Sequence, residues 1–244
     1  MKRSLFEIFV FGSFLSSAAF GADIVFDNFE DMDLLNDAGT WELADGTNPD
    51  PDVSSGDLVL STADCCSGVF HSEPISGDVS VRIQARVHSG SLGLVANGSE
   101  SNGSYFVQVR PDGRFDGLVP GLPDGIPFGG VSVPVAAGTD KDVIFQLDVV
   151  GKTVSSWFWE VGKQPPASPQ ISIELTDKQA ITEPGVAGIF VGFGAGGAPS
   201  SSTVRYIQVA DAPIPIPEPS CAVLLLGGIA FWGFGERREK LSRD

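Results

Sequence analysis

A strict alternation of apolar and polar residues over positions 79–88 constrains the fold of this chain more than any other feature. Val79, Val81, Ile83, Ala85 and Val87 alternate with Ser, Arg, Gln, Arg and His, and the same two-residue period returns over 143–149. Side chains with this period point to opposite faces of a half-buried antiparallel strand. No long stretch between the two termini has the period of about 3.6 residues that marks an amphipathic helix. The body is therefore predicted to be all-β.

Turn-forming dipeptides separate a dozen or so short strands. Besides the two alternating segments, the predicted strands are Ile24–Phe29, Thr40–Leu43, Asp57–Ser61, Val69–Ser72, Leu92–Ala96, Tyr105–Arg110, Arg114–Leu118, Val154–Val161, Ile171–Leu175, Ala187–Phe193 and Thr203–Val209. Tight hairpin turns favour the dipeptides between them, which are Asn97-Gly98, Asn102-Gly103, Asp112-Gly113, Asp124-Gly125 and Gly151-Lys152. Without crossover helices or internal repeats, this pattern predicts a two-sheet antiparallel β-sandwich of jelly-roll type over residues 22–212.

The first 21 residues have the three parts of a secretory signal peptide. Lys2 and Arg3 form a positive start, Leu5–Leu15 is largely apolar, and small residues follow before Ala22. We predict a signal helix over 1–21 that is removed on export.

The C-terminus carries a second processing signal. A proline-rich spacer over 213–219 is predicted to be extended and to stand off the body. A hydrophobic helix is predicted within 220–244, although its apolar run is shorter than the roughly 20 residues of a comfortable membrane span. Basic residues that would keep the C-terminus in the cytoplasm close the chain, and these include Arg237, Arg238 and Lys240.

The motif Pro217-Glu218-Pro219-Ser220, placed before this helix and basic end, resembles the PEP-CTERM sorting signal of Gram-negative envelope proteins. The resemblance implies an exosortase as partner and the inner membrane as a transient anchor. It also implies delivery to the cell envelope or the extracellular exopolysaccharide matrix. An ordinary C-terminal anchor helix is the alternative.

Three passages of the body resemble concanavalin A-like lectin/glucanase jelly rolls. They are DNFEDMD followed by Trp41 and DLVLST, then LDVVGKTVSSWFWEVGKQPP, and finally AGIFVGFGAGGAPSSSTVRYIQVAD. The resemblance implies the fold and little about activity, because this scaffold carries lectins, hydrolases and passive spacers alike.

The charge of the body excludes nucleic-acid binding. Once residues 1–19 and 220–244 are set aside, nine of the fifteen basic and twenty-seven of the thirty-one acidic residues remain. No basic stripe is left to meet phosphates.

The two cysteines of the body, Cys65 and Cys66, are adjacent, and in an oxidising envelope they either close a vicinal disulfide or are buried and inert.

Catalytic motifs are missing from the sequence. Retaining glucanases of this scaffold carry Glu-x-Asp-x-x-Glu, which places two carboxylates about 5 Å apart, and no such spacing occurs here. His71 and His88 have no neighbouring nucleophile and are interpreted as structural. We therefore predict that the protein is not an enzyme, with a glycosidase built from distant carboxylates as the alternative.

Two binding sites are suggested by residue type. Trp157 is a candidate shelf for a sugar ring. Calcium takes six to eight oxygen ligands, and a structural Ca²⁺, the one suggested cofactor, would join the first and last strands through Asp27, Glu30, Asp31 and Asp211. A solvated acidic edge is the alternative to the calcium site.

The predicted function is a non-enzymatic exported envelope protein, and the alternative is a carbohydrate-binding jelly roll that acts on matrix exopolysaccharide.

Overall fold

The computed structural model describes residues 23–34, 40–44, 49–62, 67–99, 103–109, 114–119, 126–132, 141–192 and 199–217. Fourteen strands lie in these ranges: β1 Asp23–Asp27, β2 Trp41–Leu43, β3 Leu58–Thr62, β4 Ser67–His71, β5 Val79–Ser89, β6 Ser91–Ser99, β7 Gly103–Val109, β8 Arg114–Val119, β9 Ile126–Ser132, β10 Asp142–Val150, β11 Thr153–Glu160, β12 Ile171–Glu174, β13 Val186–Gly192 and β14 Ser200–Ala210. The all-β prediction is confirmed for these residues.

The strands form two antiparallel sheets of seven strands each. The first sheet has the order β1-β14-β5-β10-β11-β12, and β3 pairs with β14 next to β1. The second sheet has the order β2-β4-β13-β6-β7-β8-β9. Seven of these twelve pairings join strands that are not consecutive in sequence, as in the pairing of β14 with β5. The predicted β-sandwich is therefore confirmed, and its topology depends on long-range pairing.

The core lies between the sheets and contains a cluster of aromatic rings. Phe145 and Phe158 of the first sheet and Phe115 of the second pack with ring centroids 5.4–6.2 Å apart. All three side chains are fully buried. The apolar positions of the alternating strand β5 face the same core, since Val81, Ile83 and Ala85 are inaccessible to solvent. The inward set predicted from the alternation is thus the observed one.

Two turn predictions have different outcomes. Val150 pairs with Thr153, so Gly151-Lys152 forms a two-residue hairpin, and Gly151 has the positive φ of 56° that such a turn requires. Asn97-Gly98 is not a turn, because β6 continues to Ser99. Its pairing with β7 shifts register between Ala96 and Ser99, and Asn97 has a φ of 51°. An Asn-Gly pair tolerates this conformation in a bulge as well as in a turn.

The predicted terminal helices, over 1–21 and 220–244, lie outside the described residues. Within the residues described, no helix is long and apolar enough to cross a membrane.

Candidate functional site

The outer face of the second sheet carries three phenylalanine side chains that are only half-buried. Phe70 lies on β4, Phe190 on β13 and Phe106 on β7, and each points away from the core because its strand neighbours Val69, Ile189 and Val107 are fully buried. Phe106 and Phe190 meet edge to face, with ring centroids 5.6 Å apart. Together with Gly93 and Gly188, these three residues are called the aromatic face.

The strand register arranges the aromatic face in two rows across β4, β13, β6 and β7. One row pairs Phe70 with Gly188, Gly188 with Val95, and Val95 with Phe106. The other row pairs Phe190 with a glycine on each side, Gly68 and Gly93. Phe70 and Phe190 therefore each stand beside a glycine in a neighbouring strand, whereas Phe106 stands beside Val95.

The glycines leave the space that the rings fill. A Cβ atom at Gly93 would lie 2.1 Å from the ring of Phe190, and one at Gly188 would lie 2.2 Å from the carbonyl oxygen of Val69 and 2.8 Å from the ring of Phe70. All three distances are far below van der Waals contact, so the rings lie against bare backbone. The result is a low aromatic surface on the outer face of the second sheet.

A carboxylate lies at one end of the first row. Glu42 on β2 is exposed and pairs directly with Phe70. Among the described side chains of this outer face, Glu42 is the one carboxylate. The arrangement offers aromatic surface for an apolar ligand face and one charged group beside it.

The predicted sugar shelf, Trp157, lies on the opposite side of the molecule. It is half-buried on the outer face of the first sheet, where β11 places it opposite Gln146 of β10. It therefore does not join the aromatic face.

Next to Trp157 a group of polar side chains crosses β5 and β10, and all of them are buried except Arg82, which is half-buried. Ser80, Arg82, Gln146 and Asp148 belong to this group, called the polar cradle. Arg82 Nε donates to Gln146 Oε1 at 2.7 Å, and Gln146 Nε2 donates to both carboxylate oxygens of Asp148 at 2.9 and 3.1 Å. Burial raises the pKa of Asp148 and lowers the pKa of Arg82. Both shifts arise because burial penalises the charged form.

The chain after β14 returns over the polar cradle. The segment 212–217, called the C-terminal strap, contributes Ile214, which is only 5% exposed. The carbonyl of Ile214 accepts from Gln146 Nε2 at 2.7 Å, and that of Pro215 accepts from Arg82 Nη2 at 2.7 Å. The expectation that the proline-rich spacer stands off the body is therefore not met at Ile214 and Pro215, while Pro213 and Pro217 are exposed. The reason is that its carbonyl groups satisfy buried donors of the sheet.

The four residues predicted to hold calcium are not brought together. Asp27 uses one carboxylate oxygen to accept from Trp41 Nε1 at 2.7 Å and the other to accept from the backbone of Phe29 at 2.8 Å. In the antiparallel pairing Asp23 meets Ala210 while Asp27 meets Ile207. Asp211 therefore lies at the far end of β1 from Asp27, about 13 Å away along the strand.

The other two predicted calcium ligands, Glu30 and Asp31, are exposed on the turn after β1. Asp31 Oδ1 accepts from the backbone of Asp33 at 3.1 Å, as in an ordinary Asx turn. No group of three His, Cys, Asp or Glu that could hold a metal ion occurs within the described part of the chain. The acidic residues of β1 and its turn thus serve the local structure.

The histidines have structural contacts. His71 is buried against the edge of Trp41, and its Nδ1 lies 2.8 Å from the carbonyl oxygen of Glu73. His88 Nε2 lies 2.8 Å from Thr203 Oγ1 on the first sheet. Neither histidine belongs to the aromatic face.

Several predicted residues lie outside the described part of the chain. Of the sorting motif, Pro217 is described and exposed at the end of the C-terminal strap. The remaining ones are Glu218, Pro219, Arg237, Arg238, Lys240 and the cysteine pair Cys65 and Cys66.

No family model and no curated protein matches the sequence. Solved structures do match the fold. A structure of the endo-acting O-glycanases with which members of the human gut microbiota initiate mucin breakdown is 13% identical, with a TM-score of 0.53, and the match covers 79% of this chain and 100% of that one. A xylan β-1,4-xylosidase from Bacillus halodurans C-125 is 14% identical, with a TM-score of 0.56 and 78% of this chain covered. This chain spans 40% of the length of that xylosidase.

A third match is the exoplasmic/lumenal domain of VIP36 in a form bound to Ca²⁺ and Man3GlcNAc. It is 13% identical, with a TM-score of 0.51, and the match covers 74% of this chain and 87% of that one. These similarities show that the chain has the jelly-roll β-sandwich fold of these structures. The fold implied by the three sequence passages is therefore confirmed.

The prediction that the chain is not an enzyme is contradicted by these comparisons. The same jelly roll occurs in structures of glycanases and of a xylosidase. A missing Glu-x-Asp-x-x-Glu motif therefore does not exclude glycoside hydrolysis on this scaffold. The physical reason is that sheet pairing brings residues from distant strands together, so two carboxylates need not lie on one strand.

Proposed function

We propose that this protein is a carbohydrate-binding jelly roll whose ligand stacks on the aromatic face. The observation that carries the proposal is the placement of Phe70, Phe106 and Phe190, half-buried, across four neighbouring strands of one sheet. Each of these rings keeps apolar surface in water that a ligand can cover. Partly exposed aromatic side chains grouped on one surface indicate a binding site.

The chemistry of the face suits a sugar chain. The face of an aromatic ring carries a negative quadrupole, which attracts weakly positive C–H groups. One side of a pyranose ring presents such C–H groups, while its rim carries hydroxyl groups that remain free for water. The span from Phe70 to Phe106 is three inter-strand spacings, about 14 Å. A surface of that length favours an oligosaccharide over a single sugar.

Affinity gel electrophoresis tests this function. We expect the purified protein to be retarded in a gel that contains at least one polymer among a β-1,3-glucan, a β-1,4-xylan and mucin. Phe190→Ala should weaken the binding about tenfold, because an aromatic contact contributes about 0.5–1.5 kcal/mol and a tenfold change in affinity corresponds to about 1.4 kcal/mol. Trp157→Ala, on the opposite sheet, is the matched control and should bind as the parent does.

Two results would contradict the proposal. Retardation by none of these polymers would remove carbohydrate binding. Loss of retardation in Trp157→Ala, with Phe190→Ala unaffected, would move the site to the first sheet.

Hydrolysis of the bound polymer is a second candidate, and the exposed Glu42 beside Phe70 favours it. Glycoside hydrolysis needs a pair of carboxyl groups at the scissile bond. If Glu42 is one of them, the parent should release reducing ends from the polymer it binds, and Glu42→Gln should abolish the release while retaining the retardation. Retardation without any reducing ends in the parent would leave binding as the whole function.

Export and C-terminal sorting complete the proposal, and they are supported by the two terminal segments. We propose that an exosortase processes the chain at Pro217-Glu218-Pro219 after export and releases it toward the envelope or matrix. Expression with and without an exosortase, followed by mass and fractionation, tests this. Replacement of the three residues by Ala should block processing. A chain that keeps its tail in the inner membrane, with the enzyme present, would contradict the proposal.

A further inference from the structure

The C-terminal strap is held to the first sheet by side chains of the polar cradle. The Ile214 N–H donates to Ser80 Oγ at 3.3 Å, and its carbonyl accepts from Gln146 Nε2 at 2.7 Å and from Arg82 Nη2 at 3.2 Å. The carbonyl of Pro215 accepts from the same Arg82 nitrogen at 2.7 Å. Both polar backbone groups of Ile214 are thus satisfied by the polar cradle, and its side chain is buried.

The sequence of the strap matches this mode of binding. Pro213, Pro215 and Pro217 lack an N–H, so the strap offers mainly carbonyl acceptors, and the cradle presents donors at Arg82 and Gln146. Each residue between the prolines precedes a proline and is therefore biased to an extended conformation. A chain that is already extended loses little conformational freedom on docking. The polar cradle is thus suited to an extended, proline-containing peptide.

The polar cradle is itself a buried network that needs a partner. Ser80, Gln146 and Asp148 are each at most 5% exposed, and Arg82 connects to Asp148 through Gln146. Buried donors left without acceptors are unfavourable. Water can replace two carbonyl oxygens when the strap lifts away, so the docked and released states can both exist.

We propose that the polar cradle and the C-terminal strap form a latch, which must open before a processing enzyme can take up the residues around Pro217. Pro217 is the first residue of the motif Pro217-Glu218-Pro219-Ser220, and it lies two residues after Pro215, whose carbonyl accepts from Arg82. An enzyme that holds the chain on both sides of this motif would also need the segment that precedes it to be free. That segment is the strap, in which the carbonyls of Ile214 and Pro215 already have partners on the sheet. The latch rests on the proposed sorting function. Its opening would determine when the tail becomes accessible to the processing enzyme.

A protease unrelated to sorting separates the latch from that function. Proline-specific endopeptidase cuts after proline in flexible chains, and the strap contains two such bonds, Pro213–Ile214 and Pro215–Ile216. Full-length protein is digested under native conditions, and these two bonds are followed by mass spectrometry. In the parent we expect both bonds to be cut at least tenfold more slowly than in a synthetic peptide of residues 211–220.

Arg82→Met should open the latch, because it removes the donor shared by the Ile214 and Pro215 carbonyls. We expect it to accelerate cleavage of both bonds at least tenfold. Arg205→Met is the matched control, since Arg205 lies on the same sheet and pairs with Asp57 and Asp142 instead of the strap. It should leave both bonds protected. Equal cleavage rates in the parent and the synthetic peptide would overturn the latch, as would unchanged protection in a folded Arg82→Met protein.

Hydrogen exchange in the parent keeps the test independent of any variant. The Ile214 amide should exchange at least tenfold more slowly than that of the same residue in the peptide, and exchange at the peptide rate would overturn the latch. Cells with an exosortase then separate the two proposals. A protected strap in a chain that is never processed would contradict sorting and leave the latch standing. An unprotected strap in a processed chain would contradict the latch and leave sorting standing.

Discussion

Asp148 shows at the residue scale how burial opposes charge in this protein. It lies on β10 beneath the C-terminal strap, is 5% exposed, and accepts hydrogen bonds from Ser80 and Gln146. Burial raises its pKa, and these hydrogen bonds together with Arg82 only partly offset the effect. Between the unfolded pKa, about 3.9, and the raised folded value, the native state binds more protons than the unfolded state. Stability from this group therefore falls as pH rises through that window.

We predict that Asp148→Asn becomes progressively more favourable, relative to the parent, as pH rises from about 3 to 7. Asn is neutral at every pH, so the difference in melting temperature between variant and parent should increase with pH. Thermal melts across this range measure it. A difference that is independent of pH would show that Asp148 titrates normally.

Asp142→Asn provides the control of opposite sign. A hydrogen bond from Arg86, at 2.9 Å, is the main cause of the lowered pKa of Asp142, and Arg205 lies 3.6 Å away. Its contribution to stability is present above the unfolded pKa and is lost as pH falls through the lowered value. Asp142→Asn should therefore be less stable than the parent near pH 7, and this difference should shrink in acid.

At the scale of elements, two glycines of the aromatic face differ in what an added Cβ atom would meet. A Cβ at Gly188 of β13 meets the backbone of β4, 2.2 Å from the carbonyl oxygen of Val69. Two paired strands would have to move apart to admit it. We predict that Gly188→Ala destabilises the protein by about 2 kcal/mol, the middle of the range of about 1–3 kcal/mol for overpacking. Urea denaturation measures this loss.

Gly93→Ala is the matched variant on the adjacent strand. Its nearest contacts are ring atoms of Phe190, which is half-buried and can turn toward solvent. Its unfolding free energy should stay within about 1 kcal/mol of the parent, because alanine also lowers the entropy of the unfolded chain. Its polysaccharide binding should weaken, since the displaced ring leaves the aromatic face. Equal destabilisation by both variants would mean that the rings are as fixed as the backbone.

At the scale of the whole molecule, the C-terminal strap makes the sandwich depend on residues beyond its last strand. We predict that a chain ending at Asp211 is less stable than one ending at Pro217 by about 2 kcal/mol or more. Burial of one isoleucine contributes about 1.5–3 kcal/mol, and each hydrogen bond to the cradle adds about 0.5–1.5 kcal/mol. Denaturant midpoints of the two chains, both beginning at residue 23, measure the difference. Equal midpoints would show that the strap docks without stabilising the body.

The strands were predictable from sequence, because their period is a local property. Thirteen of the fourteen strands coincide with predicted segments, and the exception is Ile126–Ser132. Its sequence, IPFGGVS, contains a proline and two glycines, which suppress the strand pattern. Pairing with β8 makes it a strand nonetheless.

The aromatic face could not be predicted, because its members are distant in sequence. Phe70, Phe106 and Phe190 each occupy an ordinary outward position in an apolar strand. Only the pairing of β4 with β13, of β13 with β6, and of β6 with β7 places them side by side. The alternation in each strand, with glycines in β13 and β6, is the one signal that could have pointed to them. Trp157 stood out in the sequence as a rarer residue, and the register placed it on the other sheet.

The sequence alone determined the all-β class, the inward set of each alternating strand and the Gly151-Lys152 hairpin, since each depends on neighbouring residues. The tertiary structure decided the rest. The antiparallel register of β1 and β14 separated Asp27 from Asp211, and the buried donors of Arg82 and Gln146 drew the proline-rich segment onto the sheet. These outcomes depend on which strands pair and in what register. Pairing minimises the exposure of apolar surface and of unsatisfied polar groups over the whole chain. That total depends on contacts between distant residues, so it cannot be derived from a short segment of sequence.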